Sequence, residues 1–142
     1  MKNVLLDSDV ILDFFLDREP HSNYTSYVLS QIELKKLNGY LTAVIISNVY
    51  YLLRRVSTHD RVMKKLNQLM TLTDVLLIDK QIVLKAMNSK FKDFEDAMQN
   101  YACESYGSID LILTRNTKDY RKSDISVMTP EQYYKMKTGS KH

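Results

Sequence analysis

Two periods of apolar spacing divide this chain. Short unbroken apolar runs read as buried strands, and stretches with an apolar residue every three or four positions read as helices. The first run, residues 3–7, ends in Asp7, and a helix over 9–16 follows with Val10, Ile11, Phe14 and Phe15 on its apolar side. Asp17-Arg18-Glu19-Pro20 breaks that helix, since proline disfavours helical geometry in the residue before it. A longer helix is expected from about Ser22 to Leu37, closed by Asn38-Gly39 with Gly39 as a left-handed cap. Tyr40 to Ala43 reads as a second strand, and Ile45 to Leu53 as a helix buried on much of its surface and ending near Arg54-Arg55. Thr58 or Asp60 starts another helix, with Val62, Leu66, Leu69 and Met70 on one face.

The same alternation continues. Val75 to Ile78 is a continuous apolar run ending in Asp79, and Lys80 to Ser89 reads as a helix. A helix capped by Asp93 then runs through Tyr101, Ala102, Cys103 and Tyr106 to Gly107. Ile109 to Thr114 is a strand, followed by the polar segment Arg115 to Tyr120 and a last strand over Ile125 to Met128. Thr129-Pro130 is a good helix start, with threonine as cap and proline at the first helical position. Strands alternating with helices argue for one α/β domain over 1–135, a three-layer α/β/α sandwich with a mainly parallel sheet. Residues 136–142 read as a polar, frayed tail.

Composition narrows the class rather than the chemistry. A chain of 142 residues suits one domain, which buries roughly two-thirds of its unfolded surface. A net charge of +3 permits a polyanionic partner without demonstrating one. The single cysteine, Cys103, excludes an intramolecular disulfide and reads as a buried bystander. The first apolar run meets Asp7 too soon for a signal peptide, and nothing approaches the roughly 20 apolar residues of a membrane span. A cytoplasmic protein is expected.

The chemistry sits in three polar clusters: Asp7 with Ser8 and Asp9, then Asp93 with Glu95 and Asp96, then Asn116 with Asp119. Ligands of open parallel sheets bind beyond the carboxyl ends of the strands, where Asp7 is expected. Carboxylate-rich sites select hard cations such as Mg²⁺ or Mn²⁺. Asp9 reads as a helix cap or a supporting group, and Asp13, Asp79 and Asp110 as solvated or turn charges. Arg115 is the best candidate for a phosphate contact, with Lys118 near it. Tyr50, Tyr51, Tyr101 and Tyr106 read as packing residues, and His21, His59 and His142 are too scattered for a site.

The stretch Val4-Leu5-Leu6-Asp7-Ser8-Asp9-Val10-Ile11-Leu12-Asp13, followed by Arg18-Glu19-Pro20-His21, resembles the opening of PIN-domain proteins, the VapC-like toxin ribonucleases among them. Asp93-Phe94-Glu95-Asp96-Ala97-Met98-Gln99 and Ile112-Leu113-Thr114-Arg115-Asn116 resemble that family's later blocks, in the same order. The resemblance implies a Mg²⁺- or Mn²⁺-dependent endoribonuclease, the toxin of a toxin–antitoxin pair, with RNA as substrate, an antitoxin protein as partner and a homodimer as a further expectation. Asp7 and Asp96 would hold the metal. Asn116 would join them in catalysis, with Asn48, Asp119, Ser8, Asp9 and Glu95 supporting the metal or its waters, and Arg115 and Lys118 would meet RNA. The family often carries acids where this chain has Asn48 and Asn116, which implies a weaker metal site unless Asp119 or Glu95 compensates. A degenerate domain that binds RNA or a protein without cutting is the second expectation. The third is a haloacid-dehalogenase-type phosphatase, with Asp7 as nucleophile and Asp9 as acid/base.

Overall fold

The computed structural model describes residues 1–139 of the chain. Strands β1 (Lys2–Leu6), β2 (Leu37–Thr42), β3 (Thr73–Leu76), β4 (Leu111–Leu113) and β5 (Ser126–Met128) form one sheet in the order β3-β2-β1-β4-β5. Every neighbouring pair is parallel. Parallel neighbours need crossovers, and pairs of α-helices supply three of them. Helices α1 (Ser8–Phe15) and α2 (His21–Glu33) link β1 to β2, while α3 (Ala43–Leu53) and α4 (His59–Leu72) link β2 to β3. Helices α5 (Lys80–Met87) and α6 (Phe94–Tyr106) carry the chain back across the sheet to β4. A short 3-10 turn (Thr117–Tyr120) precedes β5, and α7 (Pro130–Thr138) closes the fold. Right-handed crossovers running in opposite directions along a sheet cover opposite faces, which yields the three layers.

That reversal fixes the site. The chain winds outward from β1 to β3, then returns to lay β4 on the other side of β1. The crevice between the carboxyl ends of β1 and β4 is therefore a topological switch point. Val4, Leu5, Leu6, Leu41, Ile112 and Leu113 are wholly shielded from water and fill the core beneath it. Leu6 pairs with Leu113, so the next residues, Asp7 and Thr114, leave the sheet side by side.

Several boundaries differ from expectation, each for a local reason. Gly39 is not a helix cap; it lies within β2, paired with Val4 and Thr73. The left-handed residue after α2 is Lys35, at φ 59°. A Cβ at Gly39 would come within 2.6 Å of Ile32 Cδ1 and 3.2 Å of Thr73 Cγ2, so this glycine is required by close packing. In α1 the inward side is Val10, Ile11, Leu12 and Asp13, whereas Phe14 is exposed. Val75 is exposed because β3 is an edge strand, and Leu77 lies beyond the end of that strand on the surface. Tyr51 and Tyr106 lie mostly on the surface rather than in the packing expected of them. Asp79 is a helix cap, its carboxylate accepting from Ile82 N–H.

Helix α7 runs through Thr138, with a reciprocal capping box between Thr129 and Gln132 and a left-handed Gly139. Residues 136–138 are therefore helical, not part of a frayed tail, and 140–142 of that expected tail lie outside the described residues.

Replacing Gly39 by alanine forces Ile32 from its buried position. The expected cost is about 1–3 kcal/mol, the usual range for overpacking. Urea unfolding of Gly39→Ala should show a lower midpoint at an unchanged m-value.

Candidate active site

A cleft of about 330 Å³ opens at the β1–β4 crevice. Its walls include Asp7, Ser8 and Asp9 from the start of α1, Asn48 from α3, Asp93, Glu95, Asp96 and Gln99 around the start of α6, and Arg115, Asn116 and Asp119 after β4. The three polar clusters, far apart in the chain, thus meet in one place. Lys118 stands exposed on the 3-10 turn and does not line the cleft.

Asp7 is the floor. It is only 7% exposed, because it follows directly on a wholly buried strand. It, and not Asp9, caps α1: one carboxylate oxygen accepts from Ser8 N–H at 2.8 Å. The other accepts from the Thr114 hydroxyl at 2.9 Å and the Tyr120 hydroxyl at 3.2 Å. Burial, and then the charge of Asp9, push the Asp7 pKa up to about 6 against the pull of those three donors. Asp96 lies in the first turn of α6, whose N–H it gives to the capping carboxylate of Asp93 at 2.9 Å. Burial pushes its pKa up to about 8, helped by the charges of Asp7, Asp93 and Asp119. Tyr120 lowers it, so one buried hydroxyl acts on both carboxylates.

Asp9 is not a cap. Its Oδ2 accepts from Arg115 N–H at 2.9 Å and lies 3.4 Å from the Thr114 hydroxyl, tying α1 to the chain after β4. Burial raises its pKa, opposed by Arg115. Its other oxygen, Oδ1, is a buried acceptor without a partner. Asn48 donates its amide to Glu95, which brings α3 and α6 together across the mouth. Asn116 precedes the 3-10 turn and its N–H donates to Thr114 Oγ1 at 3.1 Å. Asp119 lies in that turn, close enough to Asp96 to raise its pKa.

The roles of four residues escaped the sequence reading. Thr114 and Tyr120 orient Asp7, while Gln99, almost fully buried, accepts from Thr42 Oγ1 at 2.6 Å and lines the cleft. Asp13, expected at the surface, is 0% exposed and holds Arg18 and Arg115. Gln99 had a signal, lying one helical turn after Asp96 and so on the same face. Tyr120 had none, because only the return of the 3-10 turn carries it under Asp7.

The donor set suits a hard divalent cation. All candidate ligands are oxygens, burial and neighbouring carboxylates hold the proton affinities of Asp7 and Asp96 high, and Asp9 Oδ1 is unpartnered. Among the described residues no three Asp, Glu, His or Cys side chains form a ready-made cage. Asp7 and Asp96 would thus hold an ion that keeps several waters, as Mg²⁺ does in sites with few carboxylates.

The chain matches the family model described as PIN domain over residues 3–118. It is 26% identical over 137 residues to Ribonuclease VapC1 of Aquifex aeolicus (strain VF5), covering 93% of each chain. VapBC-1 from nontypeable Haemophilus influenzae superimposes with a TM-score of 0.67 at 14% identity, over 91% of this chain and 98% of that one. VapBC2 from Rickettsia felis, solved bound to a DNA fragment from the promoter, gives 0.64 at 7% identity, over 89% and 98%. The two structures bear on the fold, and the family match replaces the phosphatase expectation. Asp9 agrees with that replacement, since its Oδ2 is committed to Arg115 N–H.

Raised carboxyl pKa values penalise the folded state as pH climbs. Above about pH 4 the unfolded chain ionises Asp96 freely, whereas the folded chain resists until about pH 8. Stability contributed by the protonated group is therefore present at low pH and lost between those values. In EDTA, Asp96→Asn should melt a few degrees higher than wild type at pH 8.5, with the difference shrinking towards pH 4. Thermal melts across that range check it.

Proposed function

The chain belongs to the PIN-domain family, and from that premise we propose that it is a Mg²⁺- or Mn²⁺-dependent endoribonuclease, the toxin of a toxin–antitoxin pair. The observation that carries this reading is the meeting of Asp7 and Asp96 in one cleft at the switch point, both with proton affinities raised by burial and by neighbouring acids. An ordinary structural pair would carry a cationic partner. Here the groups that act on Asp7 are neutral donors and like charges.

Asp7 and Asp96 would hold the ion, with Asn116, Asn48, Asp119, Glu95, Asp9 and Ser8 supporting it or its waters around the cleft. When bound, it would polarise the phosphodiester and make water a better nucleophile. The chain's own contribution is positional. Thr114 and Tyr120 fix the rotamer of Asp7 through Oδ2. Asn48 steadies Glu95 at the mouth. In the reaction a water oxygen bonds to phosphorus, one phosphorus–oxygen ester bond breaks, and the leaving oxygen takes up a proton. RNA as substrate would place the work in the cytoplasm, and an antitoxin would restrain it.

Cleavage of a labelled single-stranded RNA, with Mn²⁺ or Mg²⁺ and with EDTA, tests the reading. Cleavage should require the ion and disappear in Asp7→Asn and Asp96→Asn, both still folded by circular dichroism. Thr114→Val should weaken Mn²⁺ binding by about 10–100-fold, the usual effect of removing a group that orients a ligand. RNA binding without cleavage under any ion would favour the second expectation, a binding-only domain, which the amides at 48 and 116 motivate.

A further inference from the structure

Asp13 has no part in that chemistry, yet it is the most deeply buried acid of the site, at 0% exposure. It is held by two cations, one five residues on and one distant in sequence. Arg115 grips it with both arms of its fork, Nε to Oδ2 at 2.7 Å and Nη2 to Oδ1 at 3.1 Å. Arg18 Nε lies 2.8 Å from Oδ1 as an ion pair. That Nε is not aligned for a hydrogen bond and is a buried donor without an acceptor. The turn after α1, with Asp17 left-handed at φ 49°, folds Arg18 back so that its N–H also donates to the Asp13 carbonyl at 3.0 Å.

One buried carboxylate cannot neutralise two guanidinium groups, and the excess positive charge is not hidden. The side chains of Arg18 and Arg115 remain 41% and 33% exposed. Both line the acidic cleft, and among the described residues they are the only basic ones that do, against Asp7, Asp9, Asp93, Glu95, Asp96 and Asp119. Beyond Arg115 a second hollow of about 290 Å³, bordered by Asp13, His21, Tyr24 and Thr129, gives its free N–H groups open space on that side too.

We propose that Arg18 and Arg115, anchored on Asp13, form a phosphate clamp that grips the RNA backbone next to the carboxylate cleft. The proposal deepens the ribonuclease reading and rests on it. A polyanion entering a wall of six acids needs fixed positive charge at the rim, and among the described residues no other cleft residue supplies it. Guanidinium suits the task, because a fork held by one carboxylate keeps further donors for a phosphate. Anchoring also removes side-chain freedom on folding rather than on binding, so the grip loses less entropy. Asp13 thereby keeps the two arginines off Asp7 and Asp96, where they would neutralise the metal ligands.

The test is steady-state cleavage of a labelled single-stranded RNA in Mn²⁺ by full-length wild type, Arg18→Gln, Arg115→Gln and Arg18→Lys at several salt concentrations. For each glutamine variant KM should rise roughly tenfold, well beyond any change in kcat. The slope of log KM against log salt should fall by about 0.7, one phosphate contact on a single strand. Mn²⁺ affinity by calorimetry should not weaken. Arg18→Lys should retain the wild-type salt slope with a smaller rise in KM, because it keeps the charge and loses the fork. Glutamine variants that melt lower but keep the wild-type KM and salt slope overturn the clamp and leave the arginines as fold supports. If wild type neither binds nor cuts RNA, the ribonuclease reading fails, and the clamp with it.

Discussion

The structure turns on a carboxylate kept from water. Asp7 closes the central strand, and its position is dictated by Val4, Leu5 and Leu6, which cannot be buried without drawing it in behind them. Burial opposes its charge, and nearby Asp9 opposes it further. The fold answers with neutral donors: Ser8 N–H, the Thr114 hydroxyl and the Tyr120 hydroxyl. They hold the group in place without cancelling its charge. The charge of Asp7 in turn helps burial raise the proton affinity of Asp96, a conflict that a divalent ion would relieve.

Charge across the cleft is accordingly divided. Its arginines are committed to the Asp9 and Asp13 side, through the Arg115 N–H to Asp9 and two guanidinium groups on Asp13. The side of Asp7 and Asp96 has no such partners among the groups that set their proton affinities. Buried ion pairs are often poor stabilisers, since desolvation can exceed the attraction. The pairs on Asp13 are better understood as a device that sorts charge, keeping cations near the acids yet off them.

The layers, the parallel strands and the convergence of Asp7, Asp96 and Asn116 on one edge were legible because they follow from short-range patterns. An apolar run names a buried strand, and the residue after it belongs at the sheet's edge. Asp93 as a cap and Gly107 as a left-handed stop for α6 were equally local. What escaped depended on distant partners. Asp13 looked like a solvated charge because nothing in α1 announces two arginines, one in the next turn and one a hundred residues away. Gly39 looked like a stop because glycine serves both caps and close contacts, and only Ile32 and Thr73 decide between them. Phe14 looked buried because helical period fixes a face without saying which edge of it meets solvent.

Asn48 and Asn116 acquire a physical meaning in this setting. An acid at position 48 would confront Glu95 with a like charge, whereas the amide donates to it and holds it over the cleft. An acid at 116 would add another negative charge beside Asp119 and Asp96, whose proton affinity is already high. Asparagine at both positions therefore limits repulsion where six carboxylates already crowd one cleft. The negative charge is supplied from the start of α1, from α6 and its cap, and from the turn after β4, while the Asn48 amide supplies a hydrogen bond to Glu95. With Glu95 and Asp119 already in the cleft, a neutral amide at 48 and at 116 adds less repulsion than another acid would.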